Sequence, residues 1–297
     1  MKKNLSKIKS GNLLFDILNY MFMIIFCITI LYPFWNLLLL SFADIRTSSV
    51  LGFSLWNKYW TLDSYIYIFQ NDRVLNAYIN TIFVTVATTV LTLIMTVLGA
   101  YPLSKRDLPG RDLITIFLLI PMFFSGGIIP YYLLIRGLGL YDNVLVLIIP
   151  AIFSTGNMII MRNFLQAQDK SLEESAFIDG ATYFDVLVHI VIPLMTPVLA
   201  TIALWTAVGK WNSWFDAMIF TRGQRILVLQ LLVRNMLTSP EVELRDVDAF
   251  NRLHNRRIWS NSMKAATIVI TIGPIVATYP FLQRYFIKGI MIGSLKG

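Results

Sequence analysis

The sequence predicts an all-α, polytopic membrane protein with six transmembrane helices, and three observations predict it. The 297 residues are 56% hydrophobic and only 14% charged, with a mean hydropathy of +0.65, more apolar than a soluble domain needs to fill its core. Six mostly apolar runs of membrane-crossing length occur, at 18–40, 79–103, 113–134, 144–161, 190–208 and 265–286. They are apolar on every side and about twice as long as the ~10-residue alternating strands of a membrane barrel, so the spans are helical.

The N-terminal segment, residues 1–17, carries Lys2, Lys3, Lys7 and Lys9. The run behind it is too long for a secretory signal and is followed by no small-residue cleavage site, so the first span is expected to be retained. The single cysteine, Cys27, is expected there as a small buried hydrophobe, and one cysteine supports neither a disulfide framework nor a zinc framework. After span one, residues 43–76 hold Trp56, Tyr59, Trp60, Tyr65 and Tyr67, a density of amphipathic rings suited to the outer headgroup surface. Lys105, Arg106 and Arg111 follow span two. Span three contains Ser125-Gly126-Gly127, small residues that suit close helix contact, and span four contains Asn157.

Residues 162–189 form a helix-prone connection. Span five carries Pro193 and Pro197, which can kink it. Residues 210–263 make a long outer loop that opens Trp211-Asn212-Ser213-Trp214-Phe215, passes an amphipathic stretch at 226–237 and enters a charged tract at 241–257. Span six leads to Arg284, Lys288 and Lys296. The Lys and Arg residues at both termini and after span two place the termini and the 162–189 loop in the cytoplasm; Arg222, Arg225, Arg234, Arg245, Arg252, Arg256 and Arg257 on the other side are diluted over a long acid-containing loop. The expected division is therefore a cytoplasmic segment at 1–17, a six-helix transmembrane domain at 18–288 and a tail at 289–297. An excess of 25 Lys+Arg over 17 Asp+Glu in so apolar a chain points to anionic lipid headgroups, not nucleic acid.

The cytoplasmic loop carries the strongest signal. Ser171 followed by Glu174 has capping-box spacing, and Gly180 supplies the left-handed residue that closes a helix about two turns later. Capping alone fits an ordinary interfacial helical hairpin equally well. The order and spacing add more: Glu174-Ser175-Ala176, then Asp179-Gly180-Ala181, then Ile190-Val191-Ile192-Pro193. This run resembles the Glu-Ala-Ala loop of binding-protein-dependent ABC importer permeases, with Ser175 where the family usually has Ala. The resemblance implies a type I ABC importer permease architecture and a coupling helix, made by Glu174, Ala176, Asp179 and Gly180, that seats in a cleft of an ATPase subunit. The C-terminal run from Tyr279 to Gly297 is similar to the Gly-rich ending of carbohydrate-type permeases like the second membrane subunit of the maltose importer. That likeness implies that Gly293, Lys296 and Gly297 reach between two ATPase subunits; with the Trp-Asn-Ser-Trp-Phe-Asp run, it points to the oligosaccharide branch.

The centres of the six runs contain essentially no ionisable side chain, and no Asp, Glu, Lys, Arg or His, which disfavours a proton- or sodium-coupled carrier. Sugar recognition calls for aromatic faces with amides and hydroxyls, a chemistry available at Trp205, Trp211, Asn212, Trp214 and Asn157, although Trp also anchors helices at the interface. His189 and His254 lack metal or acid/base spacing, so neither a catalytic nor a metal-ligating residue is assigned. The chain has no phosphate-binding loop with Lys-Ser/Thr, so no cofactor is expected in it; ATP and magnesium belong to partner ATPases. The resemblance implies four partners: a second homologous permease, two ATPase subunits and an extracytoplasmic sugar-binding protein. Three rivals are a permease for an amino acid, peptide or phosphate; a membrane-embedded enzyme, for which Asp107, Asp112, Asp142 and Asp216 show no pairing; and a receptor or scaffold, which has no reason to carry a coupling helix.

Overall fold

Among the described residues the chain is helical, with one isolated antiparallel bridge between Ala43 and Trp60 and no strand. The computed structural model describes residues 10–43, 55–57, 59–169, 171–222, 226–238 and 259–294. The helices in order are α1 (Ser10–Ser41), α2 (Asp63–Gln70), α3 (Asp72–Ser104), α4 (Arg111–Phe123), α5 (Ile128–Gly137), α6 (Thr155–Gln166), α7 (Ser171–Ile178), α8 (Tyr183–Leu194), α9 (Thr196–Trp211), α10 (Phe215–Phe220), α11 (Leu229–Thr238) and α12 (Trp259–Ser294). Residues 15–41 of α1 and all of α3 are each long and apolar enough to cross a bilayer; counting each bent helix pair as one span raises the total to five. The sixth predicted run lies inside α12.

The chain divides into two compact units, Met1–Ile68 with Ser239–Ile270, and Phe69–Thr238 with Thr271–Gly297. In the first, α1 is exposed along its apolar length and becomes buried only near its end, at Leu39 and Ser41. The aromatic segment folds back over that end. The hydroxyls of Ser41 and Tyr65 share a 2.7 Å hydrogen bond, Asn57 donates its amide to the Leu39 carbonyl, and Phe42 packs between the rings of Trp60 and Tyr65. Tyr65 and Trp60 are thus structural anchors within the chain. Cys27 is exposed on α1, not buried as expected, because no described element of its own unit covers that stretch.

The second unit is built on α3. Asn71 caps its start by accepting the Arg73 N–H at 3.0 Å. Thr81, Thr88, Thr92 and Thr96 are buried along one face, against which α6 and α9 pack. Small hydroxyl side chains let backbones approach closely, and in lipid that van der Waals contact, not expulsion from water, drives helix association. One core surrounds Val97, Met158, Met161, Met195 and Ile202; a second surrounds Val84, Ile135, Leu147, Phe220 and Leu227.

Three runs expected as single spans are broken. Helices α4 and α5 meet at 115°, because Phe124 is extended and Gly127 adopts φ +81°, a left-handed conformation a side chain resists. Pro130 then falls in the first turn of α5, where its missing N–H needs no partner. The Ser125-Gly126-Gly127 run therefore forms the corner, not a close helix contact; a Cβ on Gly127 would meet nothing within 4 Å. Helices α8 and α9 meet at 75° around Met195. Pro197 has no N–H to offer the Pro193 carbonyl, and the Thr196 hydroxyl takes that carbonyl at 2.7 Å, stabilising the bend. The stretch before it, Leu187–Val191, is a π-turn. The fourth run is two short 3-10 turns, Val144–Leu147 and Ile149–Ala151, set at 40° to α6.

Candidate functional site

Helix α7 and the turn after it are closed at both ends by the sequence around them. Ser171 is the first helical residue, not the cap; its backbone N–H donates to the Asp169 carboxylate at 3.0 Å, and its own carbonyl accepts the Ser175 hydroxyl at 2.8 Å. The expected Ser171–Glu174 box is thus replaced by an Asp cap two residues earlier. Those hydrogen bonds from Ser171 hold the Asp169 carboxyl below its ordinary value, since they favour the charged form. At the other end Gly180 has φ +86°, the Gly180 N–H bonds the Phe177 carbonyl at 3.1 Å, and the Ala181 N–H bonds the Ala176 carbonyl at 3.0 Å. This is a Schellman closure, as the glycine predicted. The reciprocal capping box occurs one helix later: Thr182 accepts the Asp185 N–H at 3.3 Å and the Asp185 carboxylate accepts the Thr182 N–H at 3.0 Å.

This doubly bounded helix has two faces. Ala176, Phe177 and Ala181 pack on the core formed by α3, α6, α8 and α9, and the Phe177 ring meets Tyr183 at 4.9 Å. The other face carries Glu174, Asp179 and Gly180, all exposed, beside apolar groups that no described residue covers: Ile178 is 86% exposed and Phe184 69%. Of the four predicted coupling residues, three therefore face outward and Ala176 faces the core. Glu173, which the sequence did not single out, faces inward and pairs with Lys105.

At the start of the 210–263 loop a second cluster forms. The Arg234 guanidinium lies 4.3 Å over the Trp214 ring, and the Gln230 amide donates to the Asn212 side-chain oxygen at 3.1 Å. The cluster is held in place where the Leu229 N–H donates to the Thr81 hydroxyl at 2.8 Å and the Lys210 ammonium donates to the Leu147 carbonyl at 3.0 Å. Asn212 and Trp214 are thus brought together with two groups, Arg234 and Gln230, that sequence reasoning missed. Trp211 is instead buried, its indole N–H donated to the Thr271 carbonyl at 3.0 Å and its ring edge-on to Tyr78 at 5.8 Å. Trp205 is half-exposed on α9, and Asn157 lies in the first turn of α6, its N–H on the Ser154 hydroxyl. Gly293 is in α12; Lys296, Gly297 and the tract 241–257 lie outside the described residues. No group of three or more His, Cys, Asp or Glu able to hold a metal occurs among the described residues.

Residues 89–292, from within α3 to near the end of α12, match the family described as "Binding-protein-dependent transport system inner membrane component". The chain belongs to that family. This inner membrane component is 39% identical over 290 residues to Protein LplC of Bacillus subtilis (strain 168), covering 97% of each chain. It is 35% identical over 286 residues to the polygalacturonan/rhamnogalacturonan transport system permease protein YtcP of the same organism, covering 96% of this chain and 99% of that one. Its fold matches a chain from the crystal structure of a bacterial ABC transporter involved in the import of the acidic polysaccharide alginate, with a TM-score of 0.88, 31% identity, and 95% and 99% of the two chains covered. The all-α ABC importer permease fold expected from the Glu174-Ser175-Ala176 run is the fold present.

Proposed function

We propose that this inner membrane component is the permease subunit of an ATP-driven importer of oligosaccharides, and that a second, homologous permease completes the pathway with it. The observation that carries the reading is α7: a helix capped at both ends, seated on the core by Ala176 and Phe177, and presenting an exposed Ile178 at its tip beside the exposed Phe184 of α8. A rigid knob of that shape suits the groove of an ATPase subunit, with Glu174, Asp179 and Gly180 at the contact and Ala176 holding the knob to the bundle. Two ATPase subunits bind ATP and magnesium, so the residues of this chain transmit motion and perform no hydrolysis. Gly293, Lys296 and Gly297 reach between those subunits. Both termini and the 162–189 loop lie on the cytoplasmic side of the cell membrane, among anionic lipid headgroups, and six spans carry the chain across it.

Transport follows alternating access. Closure of the ATPases shifts α7, and the rigid-body change opens the pathway outward to receive sugar from a docked extracytoplasmic sugar-binding protein. The tract 241–257 contacts that protein. Trp205, Asn212, Trp214 and Asn157 line the route, with Trp211 bracing the outer end of α9. A relative named for polygalacturonan and rhamnogalacturonan, and a structural neighbour that imports acidic alginate, support a sugar over an amino acid, peptide or phosphate. The Arg234 guanidinium over Trp214 supports a uronate-containing oligosaccharide among sugars. The test is uptake of polygalacturonan- and alginate-derived oligosaccharides into proteoliposomes holding the assembled complex. ATP-dependent uptake abolished by Glu174→Arg is expected; uptake unchanged by that reversal removes α7 from the mechanism.

A further inference from the structure

The doublet Glu173-Glu174 puts two carboxylates on neighbouring positions of α7, about 100° apart around the helix, so they point to different surroundings. Glu174 is exposed on the outward face. Glu173 turns back to the bundle: its side chain is about one-fifth exposed, its Oε2 receives the Lys105 ammonium, and the Tyr101 hydroxyl donates to the same oxygen at 3.5 Å. Lys105 is the residue that terminates α3, and its ammonium also lies 4.4 Å over the Tyr101 ring. Glu173, Lys105 and Tyr101 therefore form a closed cluster in which one cation satisfies both a carboxylate and an aromatic face at the end of the longest apolar helix of its unit. Glu173 and Lys105 line a cleft of about 180 Å³ together with Phe177 and Tyr183, with Glu174 at the same cleft.

Apolar packing by Ala176 and Phe177 keeps α7 near the core but is non-directional; it does not stop so short a helix from rolling on the core surface. An ion pair with fixed geometry does. We infer that Glu173 is a positioning residue: with Lys105 it pins α7 to the end of α3, so that a push on the outward face of α7 is delivered to that helix and not lost in rolling. The inference rests on the reading of α7 as the ATPase-contacting helix. The two acids of the doublet then divide the work, Glu174 toward the partner and Glu173 toward the chain's own lever.

The experiment uses the complete complex in proteoliposomes, with polygalacturonan-derived oligosaccharide as the sugar and uptake per ATP hydrolysed as the readout. Glu173→Gln and Lys105→Met are expected to retain the ATPase subunits and continue hydrolysis while uptake per ATP falls at least about threefold, the scale of an ion pair that keeps some contact with solvent. The charge-swapped double variant Glu173→Lys with Lys105→Glu is expected to recover most of that loss, which a merely structural role for either residue alone does not explain. Tyr101→Phe, which removes only the long 3.5 Å contact and keeps the ring under the cation, is expected to change the ratio less than either charge variant. Single variants that keep the wild-type ratio, or a swap no better than the singles, overturn the inference. A wild-type complex with no ATP-driven uptake contradicts the transport reading instead. In that case amide hydrogen exchange across α7 decides the pin alone: faster exchange in both singles and its return in the swap support it, and unchanged exchange overturns it.

Discussion

Replacing Gly180 with alanine isolates the backbone demand at the end of α7. Gly180 has φ +86°, and a Cβ added there would meet nothing within 4 Å, so the substitution introduces no clash and its cost is the left-handed conformation alone. That conformation costs an L-residue roughly 1–2 kcal/mol, whereas asparagine enters it readily. If the turn relaxes to relieve this strain, the docked shape has to be re-formed against it, and docking to the ATPase weakens by about 5–30-fold. Alanine also restricts the unfolded chain, offsetting roughly 0.4–1 kcal/mol of any loss in global stability, so melting temperature is the poorer readout. The assay is titration of purified ATPase subunits onto membranes holding wild type, Gly180→Ala or Gly180→Asn. The expected order of affinity is wild type, then Asn, then Ala. Equal affinities for Ala and wild type, or for Ala and Asn with both weakened, refute the argument from the Schellman closure.

Three further outcomes follow from the same geometry. Ile178→Asp, at a position 86% exposed, leaves the melting temperature of the detergent-solubilised chain unchanged but lowers ATPase retention by at least about tenfold, the scale of an interface hot spot. Thr182→Ala removes the side-chain half of the reciprocal box with Asp185 and costs about 1 kcal/mol, seen as a melting temperature lower by about 2–4 °C. Arg234→Met and Trp214→Ala each reduce uptake of polygalacturonan-derived oligosaccharide roughly two- to fivefold, the range of an exposed cation–π contact, while ATP hydrolysis in the absence of sugar stays at the wild-type rate.

Where a local rule acts alone, the sequence was a good guide. Apolar length announced α1 and α3, and Gly180 announced the end of α7, because each depends only on its own stretch of chain. The breaks in the third and fifth runs were harder to read. Hydropathy is blind to a left-handed glycine, and the bend at Met195 depends on the Thr196 hydroxyl capturing the Pro193 carbonyl, a contact no composition window registers. The cap of α7 was displaced because Asp169 and Ser171 both offer side-chain oxygens at a helix start, and the stronger acceptor, already charged, won. Thr182-x-x-Asp185 went unnoticed as a box because its acid is Asp where Glu or Gln is usual.

At the sites, the residues missed are those whose partners are distant in sequence. Glu173 meets Lys105 from 68 positions away, and nothing in the doublet alone says which acid turns inward. Arg234 reaches Trp214 from α11, whose start is tethered to Thr81 on α3. Trp211 and Trp214 looked equivalent in a Trp-rich run, yet Thr271 and Tyr78 engage the first and leave the second to Arg234.

The most direct test of the central claim is the company the chain keeps. The tagged chain, extracted from its membrane in mild detergent, is analysed for co-purifying proteins by mass spectrometry. One second permease of the same family and an ATP-binding-cassette ATPase at two copies per complex are expected, with the ATPase lost in Ile178→Asp. Recovery of the chain without either partner, across repeated mild extractions, contradicts the claim.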